Sequence, residues 1–485
     1  CLMSLLIPGT NSIKDTGYSV ANSLRVEHDS SDKFTKTFST PTTANKMTFS
    51  FWLKRSRLGN GSLNHTLVNT DSGNTEEFIR FAEDDQIHIF MQNSSGAQVA
   101  SVKTSRKYRD VSAWVHIVIG IDTSLSTADD RFKIWTNGVR ETSFATNSQI
   151  AQGYTLRLNT AVSHEFYARK GGSEYSGYSC ETVFIDGQQL DADQFGEYNE
   201  DSPTIWQPKD VSGLTFGNNG FYLDYEDSSA LGNDVSGNNN DLTSSGFTSS
   251  DQSTDTCTNN FMTLSPLLKG SNIDLTEGNV VNTGNTGSDA GNVACTFPIA
   301  FSGKWYFEVK ITAISASGYP KIAVFQDFES VPQGNYNGGA GGSNMHPSGS
   351  SGNAISTTVQ YNSTTLENPD GNITITAPAN GNIIQFALDM DNGAIYVGVN
   401  GTYYNSGDPT SGSSKTGKIG DLTVTNQMMP MSSNYNGSAT AYNFGGTPGF
   451  SISSGNADAN GFGNFEYAPP AGYFALCSKN IGEFG

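Results

Sequence analysis

The residues of this chain that could do chemistry come as fragments of working constellations, each lacking the member that would complete it. Asn456-Ala457-Asp458-Ala459-Asn460-Gly461 sets oxygen-bearing side chains at alternate positions and closes on glycine, the opening half of a calcium loop. Calcium, held by Asn456, Asp458 and Asn460, is the single cofactor the sequence suggests. Yet Tyr467 stands at the twelfth position, where a bidentate glutamate is required, and no helix is legible on either side. The same residues also make an ordinary Gly/Asn turn, as do Asp234, Asn238 and Asp241. His164-Glu165 starts like a zinc-protease helix, but Ala168 replaces the second imidazole. The six histidines are scattered singly; His88 and His116 fall inside strand-like runs, where a core or face-lining role is usual. Gly412 to Lys418 has the Gly/Gly/Lys spacing of a phosphate loop, with Ile419 where the magnesium-binding hydroxyl belongs and no strand leading in.

Acid–base and nucleophilic catalysis fare no better. Glycoside hydrolysis needs two carboxylates flanking the scissile bond, and the Glu-x-Asp-x-x-Glu string by which sandwich glucanases present theirs is absent, as is Gly-x-Ser-x-Gly. The reading is therefore non-enzymatic. Binding is better served. Tyr319, Tyr336, Tyr403, Tyr404 and Tyr435 fall in or beside Gly/Asn-rich loops, where a tyrosine can stack on a sugar ring or cap the core. Tyr336, Asn337, Tyr403 and Tyr404 are the candidate ligand-binding residues.

The elements that must position these loops are strands. Ile383 to Gly401 reads as two apolar runs hinged on Asp391-Asn392-Gly393, the second ending at Asn400-Gly401. Each Asn-Gly supplies the positive φ of a tight primed turn, so the segment is a β-hairpin entering another turn. Arg131 to Arg140 repeats the device around Asn137-Gly138, roughly one domain-length earlier. In Met47-Thr48-Phe49-Ser50-Phe51-Trp52-Leu53, alternation puts Met47, Phe49, Phe51 and Leu53 on one face, as a half-buried antiparallel strand requires.

With 485 residues the chain exceeds what one core serves. Charged residues are 15% and glycines number 53, so polarity is spent on neutral turn residues and not on amphipathic helices. The expected fold is all-β, two antiparallel β-sandwiches in tandem. Residues 1–20 form an arm, 21–200 the first sandwich, 201–260 a Gly/Asn/Ser-rich connector pinned at Phe221-Tyr222-Leu223, and 261–485 the second sandwich. A net charge of −20 repels a phosphate backbone, so no nucleic acid partner is expected. The longest apolar stretch, Trp114 to Ile121, is too short for a membrane span. The five cysteines, Cys1, Cys180, Cys257, Cys295 and Cys477, form no metal or disulfide pattern.

Two sets of residues resemble known families. Met47 to Lys54, Trp114-Val115-His116-Ile117-Val118 and Lys133 to Gly138 resemble a concanavalin/laminin-G-type jelly roll. Phe184-Ile185-Asp186-Gly187-Gln188-Gln189-Leu190 and Phe195-Gly196-Glu197 are similar to a string recurring in structural proteins of tailed phages, especially marine ones. Asn219 to Asp224 and Asn233 to Asn238 share that likeness. Gly303 to Val309, the 383–401 hairpin and Pro469 to Cys477 resemble a SPRY domain. The resemblance implies a jelly roll followed by a SPRY-like sandwich in a virion surface protein, a tail fibre or spike or a head fibre or decoration, displayed on the particle. Its implied partners are other virion proteins and host-surface glycan, in a homo-oligomer that fibre analogy makes a trimer. A bacterial adhesin or sandwich glycosidase, and a purely architectural capsid or tail component, are the alternatives.

Overall fold

The computed structural model describes residues 17–28, 30–72, 75–169, 172–285, 290–315, 320–325, 337–338 and 356–485. It is all-β, with two units, one built on residues 15–259 and the other on 260–485. In the first, two antiparallel sheets face each other. One runs Val139–Arg140, Phe132–Thr136, Val115–Asp122, Lys46–Arg55, Gly177–Asp186, Ser23–Val26, Gln252–Ser253. Its partner runs Phe144–Ser148, Gln98–Thr104, Ile87–Gln92, Thr75–Phe81, His65–Ser72, Ser163–Phe166, Lys33–Thr37, Thr243–Ser245. Met47, Phe49, Phe51 and Leu53 do line one face, packed into the core between the sheets with Ile79, Ile89, Ile117 and Phe184.

Lys46–Arg55 is nevertheless buried along nearly its whole length, not half-buried. The cause is a second apolar layer on the opposite face, where Trp52, Trp114, Val118 and Val183 pack against Phe195, Trp206, Val211 and Phe216. The stretch expected as a connector supplies part of that layer and completes both sheets: Phe221–Leu223 pairs with Gly177–Asp186, Thr243–Ser245 with Lys33–Thr37, and Gln252–Ser253 with Ser23–Val26. Its polar composition conceals this because side chains, not ladders, satisfy much of its backbone. Asp234 accepts from the N–H of Tyr222, Ser236 and Asn240 at 2.8 to 2.9 Å, and the Asn238 and Asn240 amides donate to Gly220 O at 2.9 Å.

The second unit repeats the plan. One sheet runs Leu264–Lys269, Ala290–Cys295, Met429–Asn434, Lys321–Phe325, Ser356–Gln360, with Asn337–Gly338 on Ala290–Cys295. The other runs Ile273–Thr276, Val281–Gly284, Ala439–Asn443, Lys304–Ala313, Ile383–Asp389, Ala394–Val399, Thr402–Tyr403. Trp305, Phe307, Val309 and Ile311 point into the core between them, while Tyr306 points outward onto Phe261, Tyr396, Phe465 and Tyr473.

The turn readings divide. Val399 pairs with Thr402, leaving Asn400 and Gly401 as a two-residue turn with φ of +48° and +84°. Thr136 pairs with Val139 across Asn137 and Gly138, at +47° and +76°. Both are the primed turn that right-handed strand twist favours. Asp389, however, pairs with Ala394, so the first hairpin loop has four residues, of which only Gly393 has positive φ. The Asp389 carboxylate explains the longer loop, accepting from the Asn392 N–H at 3.0 Å and its side-chain amide at 2.8 Å.

Candidate functional site

The side chains best arranged to meet a ligand lie on the outward face of the first unit's second sheet. Period-two alternation sends Ile79 and Phe81 of Thr75–Phe81, and Ile87, Ile89 and Met91 of Ile87–Gln92, into the core. Their neighbours Phe78, Arg80, His88 and Phe90 must therefore face outward. Register sets Phe78 opposite Phe90 and Arg80 opposite His88. The two phenyl rings stack at 5.1 Å with planes 19° apart, the His88 ring stands edge-on to Phe78 at 5.3 Å, and the Arg80 guanidinium lies 4.2 Å over the Phe78 ring. Burial, reinforced by Arg80 and Lys103, lowers the His88 pKa to about 4, so the imidazole is neutral at physiological pH. His88 Nε2 lies 3.0 Å from Ser101 Oγ.

Polar groups without partners border this aromatic block. Asn69 faces Phe78 across the ladder and Thr66 faces Arg80. Asn69 is 1% exposed, and among the described residues neither atom of its side-chain amide has a hydrogen-bond partner, nor do Thr66 Oγ1, Arg80 Nε or Glu165 Oε2. Buried polar groups are almost always paired, and these lie beside the aromatic patch, closed off from solvent. The carboxylates here are neutralised: Glu165 takes Lys33 Nζ at 2.8 Å, and Glu76 takes two bonds from Arg169, one of them 2.9 Å from Nη2. Such a face can stack on a sugar ring and offer donors and acceptors to its hydroxyls.

The residues singled out from sequence lie elsewhere. Tyr336 falls outside the described residues, as does Tyr319. Asn337 is placed by its backbone, opposite Gly291. Tyr403 and Tyr404 are adjacent but join different clusters. Tyr403 packs with the outer aromatics near Glu308, its pKa raised by burial and by that carboxylate, and among the described residues its buried hydroxyl has no partner. Tyr404 packs against the core between the sheets, its hydroxyl donating to Thr376 O at 2.9 Å. They form no joint platform.

The calcium candidates are occupied by donors. Asp458 Oδ1 accepts from the N–H of Asn460 and Phe462 at 2.9 and 3.0 Å, and Oδ2 from the Ala475 N–H and the Asn480 amide at 2.9 and 2.8 Å. Four N–H donors saturate the carboxylate and turn positive hydrogens toward the place a cation would need. The Asn456 amide donates to Phe465 O and Glu466 O. Asp234 is likewise filled by its N–H bonds. His164 is buried, stacked on Phe38 at 4.0 Å, and Lys415 and Lys418 both pair with Asp421, which removes the cations a phosphate loop would use. Among the described residues no helix is long and apolar enough to cross a membrane.

Sequence reading placed His88 in a strand-like run but did not bring it together with Phe78 and Phe90. The signal was available: aromatic residues on the side of each alternation that should be polar, in strands separated by one short turn.

A family model described as the concanavalin A-like lectin/glucanases superfamily matches residues 29–188. This span of the first unit is thus a concanavalin-like sandwich of the lectin/glucanase type. No curated protein matches the chain. Among solved structures, the SPRY domain of human HERC1 overlaps at 16% identity and a TM-score of 0.26, covering 37% of this chain and 96% of its own. The heptameric SAP-like pentraxin of Limulus polyphemus overlaps at 9% and 0.27, covering 36% and 81%. Domain 4 of AbnA, an extracellular arabinanase of Geobacillus stearothermophilus solved with arabinotriose, overlaps at 16% and 0.23, covering 31% and 64%.

Proposed function

We propose that this protein is a non-enzymatic surface component of a tailed-phage particle, and that the outward face carrying Phe78, Arg80, His88 and Phe90 binds host-surface glycan. The observation that carries the glycan reading is the half-buried Phe90 ring stacked on Phe78, with His88 edge-on beside it. Sugars present apolar C–H faces and a rim of hydroxyls, and this surface offers the half-buried Phe90 ring with the polar tips of Arg80 and His88 nearby. A concanavalin-like match over residues 29–188 supports the same class. Catalysis at this face is disfavoured because its carboxylates Glu165 and Glu76 are ion-paired, the opposite of the apolar setting that keeps a general acid protonated. The virion assignment rests on the strings Phe184 to Leu190, Asn219 to Asp224 and Asn233 to Asn238. With it go display on the particle, attachment to other virion proteins through residues 1–20, and a trimer.

Glycan arrays test the binding half. Wild-type protein should retain neutral glycans, and Phe90→Ala should weaken binding about tenfold or more, an aromatic contact of roughly 1.4 kcal/mol. Unchanged binding in Phe90→Ala would remove this face from the account. Antibodies against the protein should label intact particles.

A further inference from the structure

We infer that the first unit also holds a pocket for one oxyanion, a carboxylate, sulfate or phosphate group, at a site separate from the aromatic face and independent of the glycan reading. The chain carries a net charge of −20, yet a cavity of about 220 Å³ is lined by Arg55, Arg106, Lys107 and Arg109, with Trp114 beside them. That volume is below the range of drug-sized ligands and suits a single small group.

Arg55 is the centre of the arrangement. It ends the strand Lys46–Arg55, and its side chain is 1% exposed. Nη1 is committed, donating to Asp85 Oδ1 at 2.9 Å and to Tyr108 O at 2.7 Å, and the guanidinium plane lies 4.5 Å over the Phe81 ring. Nε and Nη2 have no hydrogen-bond partner among the described residues. These two nitrogens share one edge of the planar group, and their parallel N–H bonds match two oxygens of an oxyanion. A buried guanidinium with that edge unused is a costly arrangement that a bidentate acceptor would relieve.

The remaining cations sit on the solvent side. Arg109 donates Nε to the other oxygen of Asp85 at 2.8 Å with its side chain 55% exposed, and Arg106 donates Nε to Glu141 at 2.6 Å with its side chain 50% exposed. Lys107 is exposed. Against these four cations stand the carboxylates of Asp85, Glu141 and Asp110, the last already accepting from Ser112 N–H and Oγ at 2.9 and 2.6 Å. One positive charge remains in excess, and the exposed side chains can move to admit a group to the Arg55 edge.

Calorimetry on the full chain tests this with sodium sulfate, sodium phosphate, acetate and galacturonate, ionic strength being matched by sodium chloride and galactose serving as neutral control. Saturable one-site binding of at least one anion is expected, with a change in Trp114 fluorescence that Trp114→Phe removes and that galactose does not produce. Sulfate, phosphate and carboxylate arms identify the group. Galacturonate against acetate tells a sugar-borne carboxylate from a free one. Lys107→Ala and Arg109→Ala should each weaken binding about tenfold. Arg55→Lys, which keeps the charge but lacks the fork, should abolish it; should that variant not fold, the Lys107→Ala/Arg109→Ala double variant decides. Absence of saturable binding by every anion, or equal binding by wild type and these variants, would overturn the inference.

Discussion

Glu181 interrupts an otherwise regular strand. The register of Gly177–Asp186 against Lys46–Arg55 shifts between Cys180 and Val183, and Glu181 takes a φ of +50° there, a conformation non-glycine residues avoid. Its carboxylate accepts from the hydroxyls of Tyr18 and Tyr222 at 3.1 and 2.7 Å. Burial raises its pKa to about 7, and likewise raises Glu77 to about 7, although Glu77 accepts from the Leu158 N–H at 3.0 Å and the Tyr154 hydroxyl at 3.2 Å. Both folded values lie above the ordinary 4.5. Between about pH 4.5 and 7 these two carboxyls hold protons in the folded chain that they release in the unfolded one, so their contribution to stability falls as pH rises through that window. The histidines His65, His88, His116 and His164, lowered by burial to about 3 to 4, oppose this because they bind protons only when unfolded, so the carboxyl contribution is read as a difference between variants. Relative to wild type, Glu181→Gln should gain melting temperature as pH rises from 5 to 8, ending a few degrees above it; parallel pH profiles for the two proteins would refute this assignment. At this scale sequence was least informative, since a carboxylate's burial, and the unpartnered state of Asn69, depend on residues far along the chain.

Turns and strands show the next scale. Asn137 serves twice, taking positive φ in the turn and accepting the His116 N–H on its side chain at 2.7 Å. Gly138 and Gly153 share a φ of +76°, but a Cβ on Gly138 would lie 2.4 Å from the Trp206 ring, whereas on Gly153 it meets nothing within 4 Å. Gly153→Ala should cost only the conformational penalty, about 1 kcal/mol. Gly138→Ala should cost about 1–3 kcal/mol more, because Trp206 is held in a packed layer and bonded to His116 at 2.9 Å. Chemical denaturation of the two variants measures the difference, and equal losses would mean that Trp206 yields. Apolar alternation and Asn-Gly pairs made these elements readable in advance. The four-residue loop at 390–393 was not, because the Asp389 carboxylate that holds it open acts through a side-chain bond no pattern announces.

For the molecule as a whole, the boundary at residues 259 and 260 separates two sets of internal contacts. A fragment spanning residues 15–259 should unfold in one cooperative transition. A fragment ending at residue 200 should fail to, since it lacks the strands that complete both sheets and the Trp206, Val211 and Phe216 that cover the Trp52 face. Circular dichroism melts of the two fragments check this; cooperative melting of the shorter one would restore residues 201–260 to the standing of a connector.

Local chemistry alone determined that this chain is a pair of antiparallel sandwiches: alternation, β-branched and aromatic runs and Asn-Gly corners act between near neighbours and need no tertiary context. Which polar residues lie buried, which aromatics share a face and where a polar stretch turns into sheet were decided only by folding. Phe78 and Phe90 meet because a short turn aligns their strands. Arg55 meets the 106–109 segment, and Asp234 holds the Tyr222 backbone, through contacts that sequence spacing does not encode.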